Sequence, residues 1–148
     1  MGKVLEIGIA NIKGNQIQKV TQVEALKGQG LLNDRKFKLE NHPESQINLI
    51  EIENIKYYNN ISKTDIPPLD FRRNIVTQNI KLNELIGKEF FVGKIKLKAH
   101  DLCRPCKYLQ EKLKQNNVIK ELMRKAGIRC EILTSGKINV GDIIKLKH

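Results

Sequence analysis

Two cysteines lie three residues apart in the segment His100-Asp101-Leu102-Cys103-Arg104-Pro105-Cys106-Lys107. Pro105 prevents a regular strand from continuing and biases Arg104 towards an extended conformation. Cys106 therefore falls at the start of the helix expected from Lys107 onward. Helix N-termini carry partial positive charge, and Arg104 and Lys107 add formal charge, so these neighbours favour thiolate over thiol. The chemistry expected of Cys106 is that of a soft, electron-rich sulfur, which suits a soft metal or sulfane-sulfur transfer. Three other readings stay open for the same residues. Cys103, Cys106, Cys130 and His100 could hold a structural zinc, although no second CxxC or spaced His pair accompanies them. Cys103 and Cys106 could form a dithiol redox pair, but the βαβ context of that chemistry is missing. The cysteines could also be inert core residues. Cys130 is expected on the strand face opposite the core and is assigned no role.

A second cluster, Phe71-Arg72-Arg73-Asn74-Ile75-Val76-Thr77, opens a strand with two arginines and an amide. Guanidinium groups bind phosphate through paired hydrogen bonds, and Asn supplies a further donor. A solvated strand edge is the plainer reading of two adjacent arginines. A third segment, Gly30-Leu31-Leu32-Asn33-Asp34-Arg35, has the residues of a ligand-ordering turn.

The elements that must position these residues are mostly short strands. Val4, Ile7 and Ile9 start one; Ile17, Lys19, Thr21 and Val23 suggest its hairpin partner. Residues 31–46, rich in charge, Asn and Pro, read as an excursion off the core. Ile47–Ile50 form a buried strand, and Glu51–Tyr58 have helical spacing. Pro67 and Pro68 break the chain before the strand Arg73–Thr77. Leu82, Leu85 and Ile86 make one helical turn ending at Gly87. Glu89–Val92 and Lys94–His100 make a hairpin about Gly93, and the second strand alternates Ile95, Leu97, Ala99 against Lys94, Lys96, Lys98, His100. Lys107–Lys125 reads as the one long helix, with Leu109, Leu113, Ile119, Leu122 and Met123 on its apolar side and a break at Asn116-Asn117. Strands at Ile128–Thr134 and Ile143–Leu146 close the chain. Many short strands with glycine turns and few helices indicate a β-barrel or compact mixed sheet, organised as one domain over residues 1–148.

With 148 residues, 40% hydrophobic and 29% charged, the composition is that of an ordinary globular chain rather than a disordered one. Aromatics are only 5%, so Ile, Leu and Val must build the core. The net charge of +11 attracts anions: nucleic acid, an anionic membrane surface or a phosphorylated small molecule. Phe37, Phe71, Tyr57 and Tyr58 form no stacking row, which weighs against nucleic acid as a partner. A basic nucleic-acid-binding barrel and a zinc-clipped structural domain remain the alternatives. Three cysteines do not suggest a secreted disulfide scaffold. No signal peptide or myristoylation pattern is evident, and no apolar run approaches a membrane span. A cytoplasmic protein without a membrane partner is expected.

The ordered set of segments resembles the MOSC family, named for the C-terminal domain of molybdenum cofactor sulfurase. Gly30–Phe37 resembles the family's Gly-x-x-Gly-Asp-Arg-His segment, with Asn33 for the second Gly and Lys36 for His. Ile47–Glu53 resembles its strand ending in Glu, and Phe71–Thr77 its Arg-Arg-Asn-Ile strand. Leu85–Gly93 is similar to its leucine-glycine hairpin. Arg104-Pro105-Cys106 resembles its Arg-x-Pro-Cys site without the intervening residue. Gly127–Leu133 and Gly136–Asp142 look like its terminal strands.

The resemblance implies a mainly β fold: a closed, Greek-key-like barrel of the kind found in the β-barrel domain of pyruvate kinase, with a few peripheral helices. It implies a phosphorylated cofactor, the molybdopterin form of the molybdenum cofactor, with pyridoxal phosphate also associated with such domains. Arg72, Arg73 and Asn74 would meet the phosphate, and Arg35 would line the same pocket. Cys106 would be the reactive residue, either carrying sulfur or ligating molybdenum in the reduction of N-hydroxylated substrates. The expected partner is a cysteine desulfurase in the first case. In the second it is an electron-donor protein, since the 148 residues contain no flavin or iron–sulfur motif.

Overall fold

The computed structural model describes residues 1–12 and 14–146. Eleven strands are found among them: β1 (Gly2–Ile9), β2 (Gln18–Val20), β3 (Gln22–Leu26), β4 (Gly30–Leu31), β5 (Ile47–Glu51), β6 (Ile75–Gln78), β7 (Glu89–Val92), β8 (Ile95–Leu102), β9 (Ile128–Ile132), β10 (Gly136–Asn139) and β11 (Ile143–Lys145). Seven of them run in the order β11-β7-β8-β9-β5-β6-β1 and close into a barrel where β1 pairs with β11, Gly2 opposite Ile144. The closed, mainly β barrel expected from the sequence is the fold observed. β2 hangs on the outer edge of β1, and β10, β3 and β4 make a separate three-stranded sheet.

Alternation builds the barrel interior. In β8, Ile95, Leu97 and Ala99 are buried while the intervening lysines are half-buried. In β1 a bulge between Val4 and Glu6 shifts the alternation, so Val4 and Ile7 both point inward although three residues apart. With Leu49, Ile75, Phe90, Val92, Ile128, Ile132 and Ile144 they fill the barrel. Cys130 belongs to this core. It lies in phase with Ile128 and Ile132 and is fully buried, which corrects the expected outward orientation.

All barrel pairs are antiparallel except β5 with β6. A parallel pair needs a crossover, supplied by helix α1 (Ile52–Ser62). Ile55 and Tyr58 of α1 pack with Phe71, Val76, Leu109 and Val118 into a second core outside the barrel. Burying each large side chain there contributes about 1.5–3 kcal/mol. Tyr58 meets Phe71 edge to face and donates its hydroxyl to the Asn117 amide oxygen.

The helix expected over Lys107–Lys125 is broken around Asn116-Asn117, as the sequence suggests, into two short ones, α2 (Lys107–Leu113) and α3 (Val118–Glu121). Lys114 adopts a left-handed conformation, φ 56°, and ends α2. The Asn117 side chain is held by Ser62 and Tyr58 rather than turned to solvent. Met123 therefore falls beyond helical register and is exposed. The stretch Ile17–Val23 also divides, at Thr21, between β2 and β3 in different sheets.

Residues 31–46 are irregular, yet they lie on the barrel instead of off it. Leu31 joins the barrel core, and the buried Gln46 side chain accepts from Ile132 N and donates to Asn41 O. Gly30, at φ 138°, permits this close approach. A Cβ there would sit 3.3 Å from both Gln46 O and Phe37 Cα.

Candidate anion-binding site

The site begins with one buried carboxylate. Asn33 turns the chain at φ 70°, a conformation Asn tolerates better than most residues, and so stands in for the glycine of the family pattern. Asp34 follows with its side chain enclosed. Its Oδ1 accepts from Ala10 N at 3.0 Å and its Oδ2 from Lys36 N at 3.4 Å. Arg35 and Lys36 pair with it at 3.8 and 3.6 Å. One fixed acid therefore positions two cations.

Lys36 reaches across to the second motif, where its Nζ donates to Asn74 Oδ1 at 2.6 Å. Burial pulls its pKa down to about 8; Asp34 opposes the shift, and Arg35 and Arg73 add to it. Burial also lowers the pKa of Arg35, against Asp34 and with Arg72 and Arg73. Arg72 and Arg73 thus add like charge beside two cations that share one enclosed carboxylate.

Arg72 stands beside this pair and acts on Arg35 through its charge. Left-handed at φ 65°, it caps the short turn Pro68–Phe71 and is only 7% exposed. Its Nη1 donates to Asn15 O at 2.9 Å, and its guanidinium lies 5.9 Å from the Tyr108 ring centre. Its Nε and Nη2, and the Nη1 of Arg35, are buried without a hydrogen-bond partner. Each such donor costs about 1–3 kcal/mol unless an acceptor is provided. An oxyanion is the kind of acceptor that would satisfy such donors.

The neighbours divide by role. Arg73 donates Nε to Ala126 O at 2.8 Å and Nη1 to Phe71 O at 3.4 Å, and reaches the cluster through its charge. Asn74 is buried and committed to the protein: its N donates to Asn48 Oδ1, its Nδ2 to Gly8 O, and its Oδ1 accepts from Asn48 N as well as Lys36. Asn74 therefore positions Lys36, although the sequence suggested a direct phosphate ligand. The sequence motifs assign no role to Lys36, Tyr108 and Lys112. The Lys-for-His departure marks the first. Nothing local marks the other two: Tyr108 meets Arg72, and Lys112 lies over Tyr108 and lines the same cleft, only through tertiary packing.

Two clefts open on the cluster. One, of about 360 Å³, is lined by Arg35, Lys36, Lys38 and Arg129, with Glu44 paired to Arg129 at 3.6 Å. The other, of about 240 Å³, is lined by Arg72 and Lys112 with the exposed Asp70.

Cys106 is exposed and forms the N-cap of α2. Tyr108, in the first turn of the same helix, lies against Arg72, so α2 ties the segment carrying this thiol to the cationic cluster. Cys103 is buried; its N donates to Gly127 O at 2.8 Å, and it interacts electrostatically with Lys36. Burial pushes the Cys130 thiol up, with a smaller contribution from Cys103. His100 pairs with Glu131 at 2.8 Å. Among the described residues no group of three or more His, Cys, Asp or Glu side chains is placed to hold a metal, so Cys103, Cys106, Cys130 and His100 do not assemble as a zinc site.

Compared with known families, the chain matches the model of the MOSC domain over residues 35–145. It belongs to the MOSC family. The matched span contains Arg35, Lys36, the Arg72–Asn74 motif and Cys106. None of the curated proteins matches the chain in sequence. Among solved structures, this MOSC domain is similar to the YuaD protein of Bacillus subtilis, with TM-score 0.84 and 18% identity over 97% of this chain and 94% of that one. It is also similar to YiiM of Geobacillus stearothermophilus, with TM-score 0.79 and 16% identity over 100% and 76%. YiiM of Escherichia coli has TM-score 0.72 and 15% identity over 99% and 70%. At these identities the likeness establishes a shared fold. No helix among the described residues is long and apolar enough to cross a membrane.

Proposed function

We propose that this MOSC domain binds the phosphate of a molybdopterin-type cofactor at Arg35 and Arg72 and uses Cys106 as its reactive sulfur in sulfur transfer. The observation that carries the reading is the set of three buried guanidinium nitrogens without a hydrogen-bond partner: Nε and Nη2 of Arg72, and Nη1 of Arg35, which has only its 3.8 Å ion pair with Asp34. A phosphate presents several acceptor oxygens and suits that donor set. Arg73 adds positive field, Asn74 holds Lys36 in place, and Tyr108 supports the Arg72 plane. When bound, the cofactor would supply a molybdenum centre with a soft-sulfur coordination sphere, to which a cysteine thiolate is matched.

Cys106 is exposed, so a partner protein can reach it. In the carrier role its thiolate attacks the terminal sulfur of a persulfide on a cysteine desulfurase. A new S–S bond forms at Cys106, and the donor cysteine leaves as thiolate. Reduction of N-hydroxylated substrates is the second reading. The 360 Å³ cleft beside the cluster suits a small substrate, and an electron-donor protein would be needed.

The test is analysis of the protein purified from its own host, with Cys106→Ser alongside. Persulfide on the Cys106 peptide without molybdenum supports the carrier. Molybdenum near one per chain supports the reductase. A Cys106→Ser protein with unchanged metal, sulfur and activity refutes the role of that residue.

A further inference from the structure

Lys36 has a geometry that anion binding alone does not require. Its Nζ is held between two acceptors, Asn74 Oδ1 at 2.6 Å and Asp34 Oδ2 at 3.6 Å. Both acceptors are themselves fixed, Asn74 by Gly8 and Asn48, Asp34 by Ala10. The amine spends one hydrogen on Asn74, and Asp34 at 3.6 Å is an ion-pair partner beyond hydrogen-bond reach, so a neutral amine keeps a hydrogen and its lone pair for a ligand. About a fifth of the side chain is accessible, and it lines the 360 Å³ cleft together with Arg35, Lys38 and Arg129. The same cleft carries the Arg35 and Arg129 guanidinium groups and the Lys38 ammonium, so an anionic group meets positive charge beside the amine.

We propose that Lys36 is a reactive amine that condenses with small aldehydes or ketones bearing a phosphate or carboxylate, making this cleft a covalent carbonyl-binding site. The amine nitrogen bonds to the carbonyl carbon, and the C=O π pair moves to oxygen, which takes a proton. Loss of water then leaves a C=N bond. Amine plus carbonyl gives imine plus water, and nothing is oxidised or reduced. The charges facing Nζ set its reactivity: burial, Arg35 and Arg73 favour the neutral nucleophile, while Asp34 and Cys103 oppose it, and the balance lies near pH 8. Exposed lysines such as Lys56 and Lys120 are solvated and outside the cleft. The inference does not rest on the cofactor reading; a chain that never binds molybdopterin would still show it.

The experiment incubates the full chain with glyceraldehyde 3-phosphate or with glyceraldehyde, its uncharged counterpart, traps imines with cyanoborohydride and maps the modified lysine by peptide mass spectrometry. The expected result is labelling of Lys36 first and to one per chain, at least tenfold faster with the phosphorylated aldehyde. Inorganic phosphate should slow it, and the rate should rise through about pH 8 and then level. Lys36→Arg, checked for folding by its melting curve, should remove the fast label. Label spread over exposed lysines with Lys36 unmodified overturns the proposal, and equal rates for the two aldehydes overturn the ligand class. Mapping in the unmutated chain decides the matter even if Lys36→Arg folds poorly.

Discussion

Replacing Arg72 by Met separates what the residue costs the fold from what it does. Methionine fills a similar volume without the guanidinium, and at φ 65° both side chains bear the same backbone penalty. The substitution removes two buried donors without partners, worth about 2–6 kcal/mol together. It also removes the bond to Asn15 O, about 1.5–3 kcal/mol for a charged donor, and the contact with Tyr108, ~0.5–2 kcal/mol. The terms nearly cancel, so without ligand Arg72→Met is expected to be as stable as the parent or up to about 2 kcal/mol more stable. Anion binding has the opposite sign. Phosphate at a hundred times its dissociation constant stabilises the parent by about 2.7 kcal/mol. For a chain of this size that is roughly 5–10 °C in melting temperature. The assay is thermal melting in phosphate against chloride at matched ionic strength. The variant should lose at least half of the phosphate-dependent shift. A variant that keeps the full shift, or one destabilised by several kcal/mol without ligand, refutes the assignment of Arg72 as an anion receptor held at the expense of stability.

Three further outcomes are expected. The folded Lys36 value of about 8 lies below its ordinary 10.5, so between those values the unfolded chain binds more protons and stability rises with pH. Below pH 8 both states are protonated and the slope vanishes; urea midpoints from pH 7 to 10 should show the rise, and Lys36→Met should flatten it. Gly127→Ala places a Cβ 2.1 Å from Leu49 O at φ 104°, and should cost about 3 kcal/mol or more in denaturant titration; a loss under 1 kcal/mol would show that the β5–β9 packing yields freely. Asn33→Gly, restoring the residue of the family pattern at φ 70°, should leave stability within about 1 kcal/mol of the parent and phosphate binding intact. A large loss of phosphate binding would mean that the Asn33 side chain itself takes part.

Local pattern determined which residues face inward and where elements stop. Alternation in β8 placed Ile95, Leu97 and Ala99 in the core, and Pro67-Pro68 and Gly127 marked breaks that the fold keeps. The order of motifs was also enough to indicate the family and a closed barrel. Tertiary structure decided who meets whom. Lys36 finds Asn74 and Arg72 finds Asn15 and Tyr108 because the parallel β5–β6 pair and barrel closure bring distant segments together. Periodicity specifies a face, not the partner across it. The same limit explains the exposed Met123, which the helical spacing places on an apolar face, and the buried Asn74. Both depend on long-range packing and hydrogen bonding, which override local propensity. The cationic cluster was legible only as charges in a sequence. That two of its guanidinium groups would be buried with unused donors follows from the enclosure around them, and enclosure is a property of the folded chain.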